Sequence, residues 1–228
     1  MKVALVYDRV NKFGGAERVL LSLQKLFPDA PLYTLVHHPK KAPWSDSFDV
    51  RPTFLNVISF FRNKHEILAP FAPLAFETHN FSQYDAVISI TSSDAKAIIT
   101  KPGQLHLCYC LTPTRYFWSG ESEYNADPKI RLLPDSIYQY FKCLDLITSS
   151  RPDIYLSISN EVKKRVKDYY SRDSEVVYPP IDDFFFDLKP LPTDKGNYFL
   201  IVSRLVPYKK ADLVVKAFNQ LNRPLLII

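Results

Sequence analysis

The sequence predicts an α/β fold with a doubly wound parallel sheet. Apolar runs that suit buried strands alternate with longer stretches whose apolar residues recur at helical spacing. The first run, Val3–Tyr7, leads to a Gly14–Gly15 turn, and the apolar residues Val19, Leu20 and Leu23 then predict a helix. A buried strand that enters a helix through a glycine turn is typical of the first unit of such a sheet.

The other strands of the first sheet are predicted from similar apolar runs that are bounded by turn-forming residues. We expect these strands at residues 31–36, 50–54, 84–90, 105–110, 154–158 and 175–178. The run at 50–54 suits an edge strand. Helices are predicted over residues 128–150 and from a cap at Ser159 through Tyr170, while the polar residues 91–94 suit a turn and helix cap.

The pattern breaks at residues 179–196, where prolines and phenylalanines surround polar residues, as in a linker. Two further strands, at 198–202 and 224–228, then flank a helical stretch with apolar residues from 213 to 221. We therefore predict a first domain at 1–178, a linker at 179–196 and the beginning of a second domain at 197–228. Because the chain ends on an apolar run, we expect a fragment of a longer protein.

The composition limits the class of protein. A hydrophobic share of 46% over 228 residues is enough for a packed core and does not fit a disordered chain. The net charge of +5 fits a phosphate-rich ligand or an anionic membrane surface. The same charge permits nucleic acid, but no basic and aromatic motif for nucleic-acid binding is present, and we expect none to bind.

The cysteine pattern and the N-terminus indicate the compartment. Cys108, Cys110 and Cys143 form an odd set without paired spacing, and the first two suit small core residues in a reduced compartment. The N-terminus lacks the apolar core of a signal peptide, and no run is long enough to span a bilayer. We expect a cytoplasmic protein and leave open peripheral contact with the inner face of the plasma membrane.

Two stretches allow such contact without requiring it. Phe54, Ile58, Phe61 and His65 recur at helical spacing beside basic residues, but a helix that covers the sheet explains this pattern better than a membrane face or a site for a lipid-linked acceptor. The basic run 163–167 is most simply a solvated helix face.

The Gly14–Gly15 turn is a candidate anion site. Glycines let the backbone approach a ligand closely, and a helix N-terminus offers free N–H groups and the positive end of the helix dipole. A plain turn is the alternative. The segment matches neither GxGxxG nor a Walker A loop, so it does not favour a generic dinucleotide or ATP site.

Polar residues also follow other predicted strands, at the edge where open α/β sheets bind ligands. His37 follows the second strand, and Arg115 belongs to a polar and aromatic loop after the strand at 105–110. His37 would touch substrate, and Arg115 would hold an anion or pair with a structural acid. No metal is expected, because the His37–His38 pair has no further ligand at suitable spacing and no Asp-x-Asp motif is present.

Four segments together resemble the family 4 retaining glycosyltransferases. They are GGAER at 14–18, CYCLTPTRYFW at 108–118, VVYPPID at 176–182 and SRLVPYKKADLVVKAF at 203–218. The second segment is similar to mannosyltransferases of polysaccharide and lipopolysaccharide assembly. The segments follow the order of the family along nearly the whole chain.

The resemblance implies two Rossmann-like domains, with the acceptor mainly in the first and the nucleotide-sugar donor mainly in the second. Arg204 and Lys209 match the basic pair that holds the donor diphosphate, and Gly14 and Gly15 would supply N–H groups from the opposite wall. Such donors suit the reaction, because a nucleoside diphosphate gains negative charge as it leaves.

On the acceptor side this sequence departs from the family pattern. Many relatives have a histidine at the end of the CYC strand, where this chain has Leu111, and His106 lies at the other end of that strand. We therefore expect catalytic contacts from Thr112 and Arg115. Acceptor contacts are expected from Glu17, His37 and Tyr116.

The implied reaction transfers a hexose, with retention, from a UDP- or GDP-linked donor to a glycan or a lipid-linked acceptor, without a further cofactor. Mannose from a GDP donor is the choice that the resemblance favours. The acidic Glu–seven residues–Glu motif of the family would lie beyond residue 228, so we expect this chain alone to bind the donor poorly and to turn over little or nothing. The alternatives are a non-catalytic binding module of the same fold and a two-domain phosphosugar enzyme such as an epimerase.

Overall fold

A computed structural model describes residues 1–58, 60, 62, 70–121, 134–181, 183–187, 196–203, 205–206 and 209–228. The chain divides into two compact units, Met1–Ile181 and Asp182–Ile228. The predicted α/β fold with a parallel sheet is confirmed. The exact domain boundaries at 178 and 196 stay a prediction, because much of the predicted linker lies outside the described residues.

The first unit contains a seven-stranded parallel sheet with the order β3-β2-β1-β4-β5-β6-β7. The predicted run at 50–54 is the edge strand β3, as expected. The order of the strands reverses between β1 and β4, which is the topological switch point of a doubly wound sheet. The strands are β1 Val3–Tyr7, β2 Leu32–Thr34, β3 Val50–Pro52, β4 Ala86–Thr91, β5 Leu105–Cys110, β6 Ile154–Ser157 and β7 Glu175–Val176.

The helices of the first unit are α1 Gly15–Leu26, α2 Ala72–Glu77, α3 Asp135–Thr148 and α4 Asn160–Tyr170. The predicted cap of α4 is confirmed, because the Ser159 side chain accepts a hydrogen bond from the Val162 N–H at 3.2 Å. Of the predicted helix at 128–150, the part before residue 134 lies outside the described residues. Residues 54–57 form a 3-10 turn, and Phe61 and His65 lie outside the described residues.

The central strand β1 is buried on both faces. Ala4 and Val6 join the apolar cluster on one face, and Leu5 and Tyr7 join the cluster on the other face. A strand covered on both sides needs apolar residues at every position, which explains the continuous run in the sequence. Two of the cysteines are small core residues, as predicted, and belong to a third cluster: Cys108 and Cys110.

A buried ion pair connects the segment after β4 with helix α3. Lys96 Nζ lies 2.6 Å from Asp145 Oδ1, and both side chains are only 2% exposed. The same carboxylate accepts hydrogen bonds from the Thr114 hydroxyl at 2.6 Å, the Trp118 indole N–H at 2.7 Å and the Tyr170 hydroxyl at 2.9 Å. A buried charge is tolerated only when it is paired and hydrogen-bonded, and Asp145 meets both conditions.

The second unit contains a parallel strand pair, β8 Phe199–Ile201 and β9 Leu225–Ile227, with the helix α5 Ala211–Leu221 between them in sequence. The rings of Phe199 and Phe218 pack with their centroids 5.1 Å apart. The predicted βαβ piece is therefore present in this unit.

We predict that Lys96→Ala lowers the free energy of unfolding by about 3–5 kcal/mol, because it leaves the buried Asp145 carboxylate without its counter-ion. Urea denaturation at pH 7 measures the loss. Lys167→Ala is the matched control, since it removes a lysine whose 2.8 Å ion pair with Asp173 is exposed, and it should change stability little. An equal loss of unfolding free energy in Lys96→Ala and Lys167→Ala would contradict the expected contribution of the buried pair to stability.

Candidate functional site

The candidate site lies at the carboxyl edge of the seven-stranded sheet. Because the strands are parallel, the segments after β1, β2, β4 and β5 all leave the sheet at this edge. They are residues 8–14, 35–38, 92–95 and 111–118. The switch point between β1 and β4 opens a crevice at this edge, where ligands of doubly wound sheets bind.

Asp8 fills the base of the crevice between β1 and β4. Its side chain is buried, and Oδ1 accepts hydrogen bonds from the Thr91 hydroxyl at 2.7 Å and from the N–H groups of Ala95 at 2.9 Å and Asp94 at 3.1 Å. Oδ2 accepts from the Ser92 N–H at 2.8 Å and hydroxyl at 3.2 Å. The segment after β4 is thus held by several hydrogen bonds to one carboxylate. Its N–H groups at 92, 94 and 95 are consequently already used.

Asp8 is a site residue without a predicted role. The signal that could have identified it is an acidic residue directly after a fully buried strand, at the edge where ligands bind. A buried carboxylate at that position needs several donors, and backbone N–H groups of a neighbouring loop are the nearest source.

The N-terminus of α1 lies at the same edge and has no side-chain cap. The first-turn N–H groups of a helix have no partner within the helix, so this end can receive an anion. Gly14 has an extended backbone, and a Cβ there would lie 3.2 Å from Glu17 Oε2, so space rather than backbone angle favours glycine. A Cβ at Gly15 would meet nothing within 4 Å, so the helix start is open on that side.

Glu17 faces inward. Its side chain is only 2% exposed, and Oε1 accepts a hydrogen bond from the Tyr7 hydroxyl at 2.7 Å. Burial and the neighbouring carboxylate hold the pKa of Tyr7 well above its usual range, so the phenol remains a donor. This hydrogen bond therefore connects the first turn of α1 with the end of β1. The expected contact of Glu17 with the acceptor stays a prediction, and the open side of the crevice is not where its carboxylate points.

His37 lies beside the segment after β1, through an isolated bridge with Val10. Its N–H donates to Asn56 Oδ1 at 2.9 Å, and its Nε2 lies 3.0 Å from the Ser45 hydroxyl. Burial lowers the pKa of His37, which favours the neutral ring at pH 7. The structure thus brings His37 to the predicted edge as a neutral, half-buried side chain.

The segment after β5 brings three predicted residues to this edge. The Thr112 hydroxyl is buried and has no hydrogen-bond partner in the part of the chain that the structure describes. Arg115 is half-buried, and the Tyr116 hydroxyl lies 3.0 Å from that of Ser93 in the segment after β4. The catalytic roles expected for Thr112 and Arg115 stay predictions.

Asp94 is the half-buried carboxyl of the crevice. Its Oδ2 accepts a hydrogen bond from the Ser93 hydroxyl at 2.6 Å. Burial raises the pKa of Asp94 to about 6, against the opposing effect of the Lys96 ammonium. The sequence pattern indicated a polar turn and helix cap at 91–94. Asp94 does stand at the N-cap position of the 3-10 turn Ala95–Ala97, but its side chain makes no capping hydrogen bond. A carboxyl whose pKa lies near neutrality, in a crevice, marks a candidate functional residue.

His106 has a structural position instead. It is fully buried near the beginning of β5, and its Nε2 lies 2.8 Å from the Ser89 hydroxyl. Burial lowers the pKa of His106 to about 4, so the ring is neutral at pH 7. Its predicted place away from the carboxyl edge is confirmed.

The predicted basic pair belongs to the second unit. Arg204 lies outside the described residues. Lys209 is exposed just before α5, and its N–H donates to the Val206 carbonyl at 2.9 Å. The expected contact of this pair with a diphosphate stays a prediction.

Two absences concern the described residues. These residues contain no group of three or more His, Cys, Asp or Glu residues that could hold a metal ion. None of the described helices has the length and apolar character needed to cross a bilayer.

Neither family models nor curated proteins match this chain. Among solved structures, it is similar to Anabaena HepE in complex with UDP, with 16% identity, a TM-score of 0.58, and coverage of 96% of this chain and 58% of HepE. It is also similar to HepE with UDP and glucose, with 16% identity, a TM-score of 0.59, and coverage of 100% and 60%.

At this identity, the likeness shows the fold alone: an α/β, Rossmann-like fold that this chain shares with HepE. The predicted fold class is therefore confirmed. The chain spans 58–60% of the length of HepE.

We predict that Asp94→Asn raises the free energy of unfolding at pH 7.5 by about 2 kcal/mol. This value is smaller than the pKa shift alone would give, because solvent screens a partly exposed side chain. The folded pKa of about 6 exceeds the usual 3.8, so the folded chain binds more protons than the unfolded chain between these values. The contribution of Asp94 to stability should therefore fall as the pH rises from about 4 to 6 and stay level above, and the difference between Asp94→Asn and the wild type isolates it from the groups that both chains share. Asparagine mimics the neutral carboxyl and avoids this loss.

Urea denaturation between pH 4 and pH 7.5 measures this effect, with the exposed Asp29→Asn as the control. The advantage of Asp94→Asn should disappear near pH 4. An advantage that does not change with pH would contradict the expected titration of Asp94.

Proposed function

We propose that this chain is part of a nucleotide-sugar-dependent glycosyltransferase, which transfers a hexose from a UDP- or GDP-linked donor to a hydroxyl of a glycan or a lipid-linked acceptor. The crevice that Asp8 builds at the switch point carries the proposal. This crevice occurs in a fold shared with HepE, whose solved structures contain UDP.

The donor phosphates would bind at the basic pair of the second unit, as the resemblance implies. Within the first unit, the uncapped N-terminus of α1 is a place that suits an anion. The open side of Gly15 leaves room for an anion at the helix start. Arg204 and Lys209 would supply positive charge. N–H groups and fixed cations lower the barrier of the reaction, because negative charge grows on the diphosphate as its bond to the sugar breaks.

The acceptor would bind along the segments after β2 and β5. The buried Thr112 hydroxyl has no partner among the described residues, and a hydroxyl can both donate to and accept from a sugar hydroxyl. The neutral His37 ring and the Tyr116 hydroxyl reach the same edge. Arg115 would complete this side of the crevice.

The finer parts of the proposal rest on the sequence resemblance alone. They are membership of family 4, retention at the transferred carbon, mannose as the sugar, and a place in the assembly of a cell-surface polysaccharide. A cytoplasmic location with peripheral contact at the inner membrane face also belongs here. The exposed lysines of α4 would provide that contact: Lys163, Lys164 and Lys167.

Donor binding tests the proposal. We expect the chain to bind one of UDP-glucose, UDP-galactose and GDP-mannose in isothermal titration calorimetry. Lys209→Ala should raise the Kd about tenfold or more, because a charge-assisted hydrogen bond contributes about 1.5–3 kcal/mol. Lys216→Ala is the matched control, since it removes an exposed lysine on α5, and its Kd should match the wild type.

Two glycine variants test the α1 side of the donor site. Gly15→Asp places a carboxylate at the helix start and should abolish binding, while Gly15→Ala should keep most of it because its Cβ has room. A folded chain that binds none of the donors would contradict the donor site. Donor binding without transfer to any glycan, in a protein extended through the acidic motif expected beyond residue 228, would favour a non-catalytic binding module.

A further inference from the structure

We propose that Asp94 binds the acceptor sugar, with its Oδ1 atom accepting a hydrogen bond from a hydroxyl of the sugar ring. This inference rests on the proposed function and assigns one residue and one chemical group to the acceptor side of the crevice.

The position of Asp94 is fixed by its backbone. Its N–H donates to Asp8 Oδ1 at 3.1 Å, and the N–H of the next residue, Ala95, donates to the same atom at 2.9 Å. The segment is therefore held at the switch point before any ligand arrives. A binding group held in place by its surroundings loses little conformational freedom when the ligand binds.

One oxygen of the Asp94 carboxylate is also fixed by a chain of hydroxyl groups. A serine has a single hydroxyl proton, and that of Ser93 is donated to Asp94 Oδ2 at 2.6 Å. The Tyr116 hydroxyl, 3.0 Å from the Ser93 oxygen, must then be the donor in that contact. The chain thus runs from Tyr116 through Ser93 to Asp94, and it sets the orientation of the carboxyl group.

The other oxygen, Oδ1, accepts no hydrogen bond from the described residues. An ionised carboxylate only accepts hydrogen bonds, so Oδ1 requires a donor from water or from a ligand. A half-buried carboxylate with one fixed and one open oxygen is the arrangement that a ligand hydroxyl fits.

The charges around Asp94 indicate a neutral ligand. Asp8 and Asp145 raise its pKa, and Lys96 is the ammonium that opposes them. That ammonium is occupied by Asp145 at 2.6 Å and by the Ser93 carbonyl. An ionised carboxylate oxygen beside two further carboxylates needs a neutral hydrogen-bond donor, which a sugar hydroxyl supplies and a phosphate anion does not.

Thr112 adds a second polar atom on the neighbouring segment at the same edge of the sheet. Thr91 and Cys110 are paired in the register of β4 and β5, and Ser93 and Thr112 each follow by two positions. The Thr112 hydroxyl is buried and lacks a partner among the described residues. A carboxylate oxygen and a hydroxyl on adjacent segments suit the neighbouring hydroxyls of a pyranose ring.

The proposed contact should depend on pH. The groups that face Asp94 are Asp8 at the end of β1, Lys96 and Ser93 on its own segment, Asp145 on α3 and Tyr116 after β5. Burial raises the pKa of Asp94 to about 6, so the carboxylate is lost as the pH falls below that value. Sugar affinity should therefore fall from pH 7.5 to pH 5.

Saturation-transfer NMR on the nucleotide-free chain tests this inference, with the methyl glycosides of mannose, glucose and galactose as probes. We expect at least one glycoside to bind with millimolar Kd. Asp94→Ala should weaken that binding about tenfold, and Ser93→Ala should weaken it less because the carboxylate remains. Asp29→Asn should have no effect.

Asp94→Asn provides the second variant, because it keeps the shape of the side chain and is expected to be more stable than the wild type. It should weaken binding and remove the pH dependence between 5 and 7.5. Absence of binding by all three glycosides, or equal affinity in Asp94→Ala and wild type, would overturn the inference. If the chain binds a donor but gives one of these two negative glycoside results, the proposed function stands and only the role of Asp94 is overturned. If glycoside binding depends on Asp94 but no donor binds, only the proposed function is overturned.

Discussion

The carboxylate of Asp8 is the interaction on which the candidate site depends. It lies at the end of the central strand and receives hydrogen bonds from Thr91, Ser92, Asp94 and Ala95, across 83 to 87 residues of sequence. An unpaired buried N–H group is costly, so a loop that donates three N–H groups to one carboxylate has a strongly preferred conformation. The two strands at the switch point are thereby joined where the sheet opens.

A second buried carboxylate, that of Asp145, connects the segment after β4 with elements farther from the switch point. Lys96 follows directly on the segment that Asp8 holds, and its ammonium meets Asp145 on α3. Asp145 in turn holds Thr114 and Trp118 of the segment after β5 and Tyr170 of α4. Two buried acids and one buried lysine thus connect β1, β4, β5, α3 and α4, and the half-exposed Asp94 lies between them.

Local patterns made most of the fold predictable. The strands of the sheet are short apolar runs bounded by turn residues, and both the edge position of β3 and the Ser159 cap of α4 followed from the sequence. The crevice was less predictable, because its order comes from hydrogen bonds between residues far apart in the chain. Asp8 had no assigned role, and the sequence pattern at 91–94 indicated a turn and helix cap but not the hydrogen bonds to Asp8 that hold this segment. The hydrogen bond from the Tyr7 hydroxyl to Glu17 was likewise not indicated by any local pattern.

Native-state hydrogen exchange of the amides of Ser92, Asp94 and Ala95 tests most directly whether Asp8 builds the crevice. In Asp8→Ala these amides lose their acceptor, and their protection should fall about tenfold or more relative to amides in the core of β1. Exposed Asp29→Asn should leave them unchanged. Equal protection of the three amides in Asp8→Ala and the wild type would contradict the account.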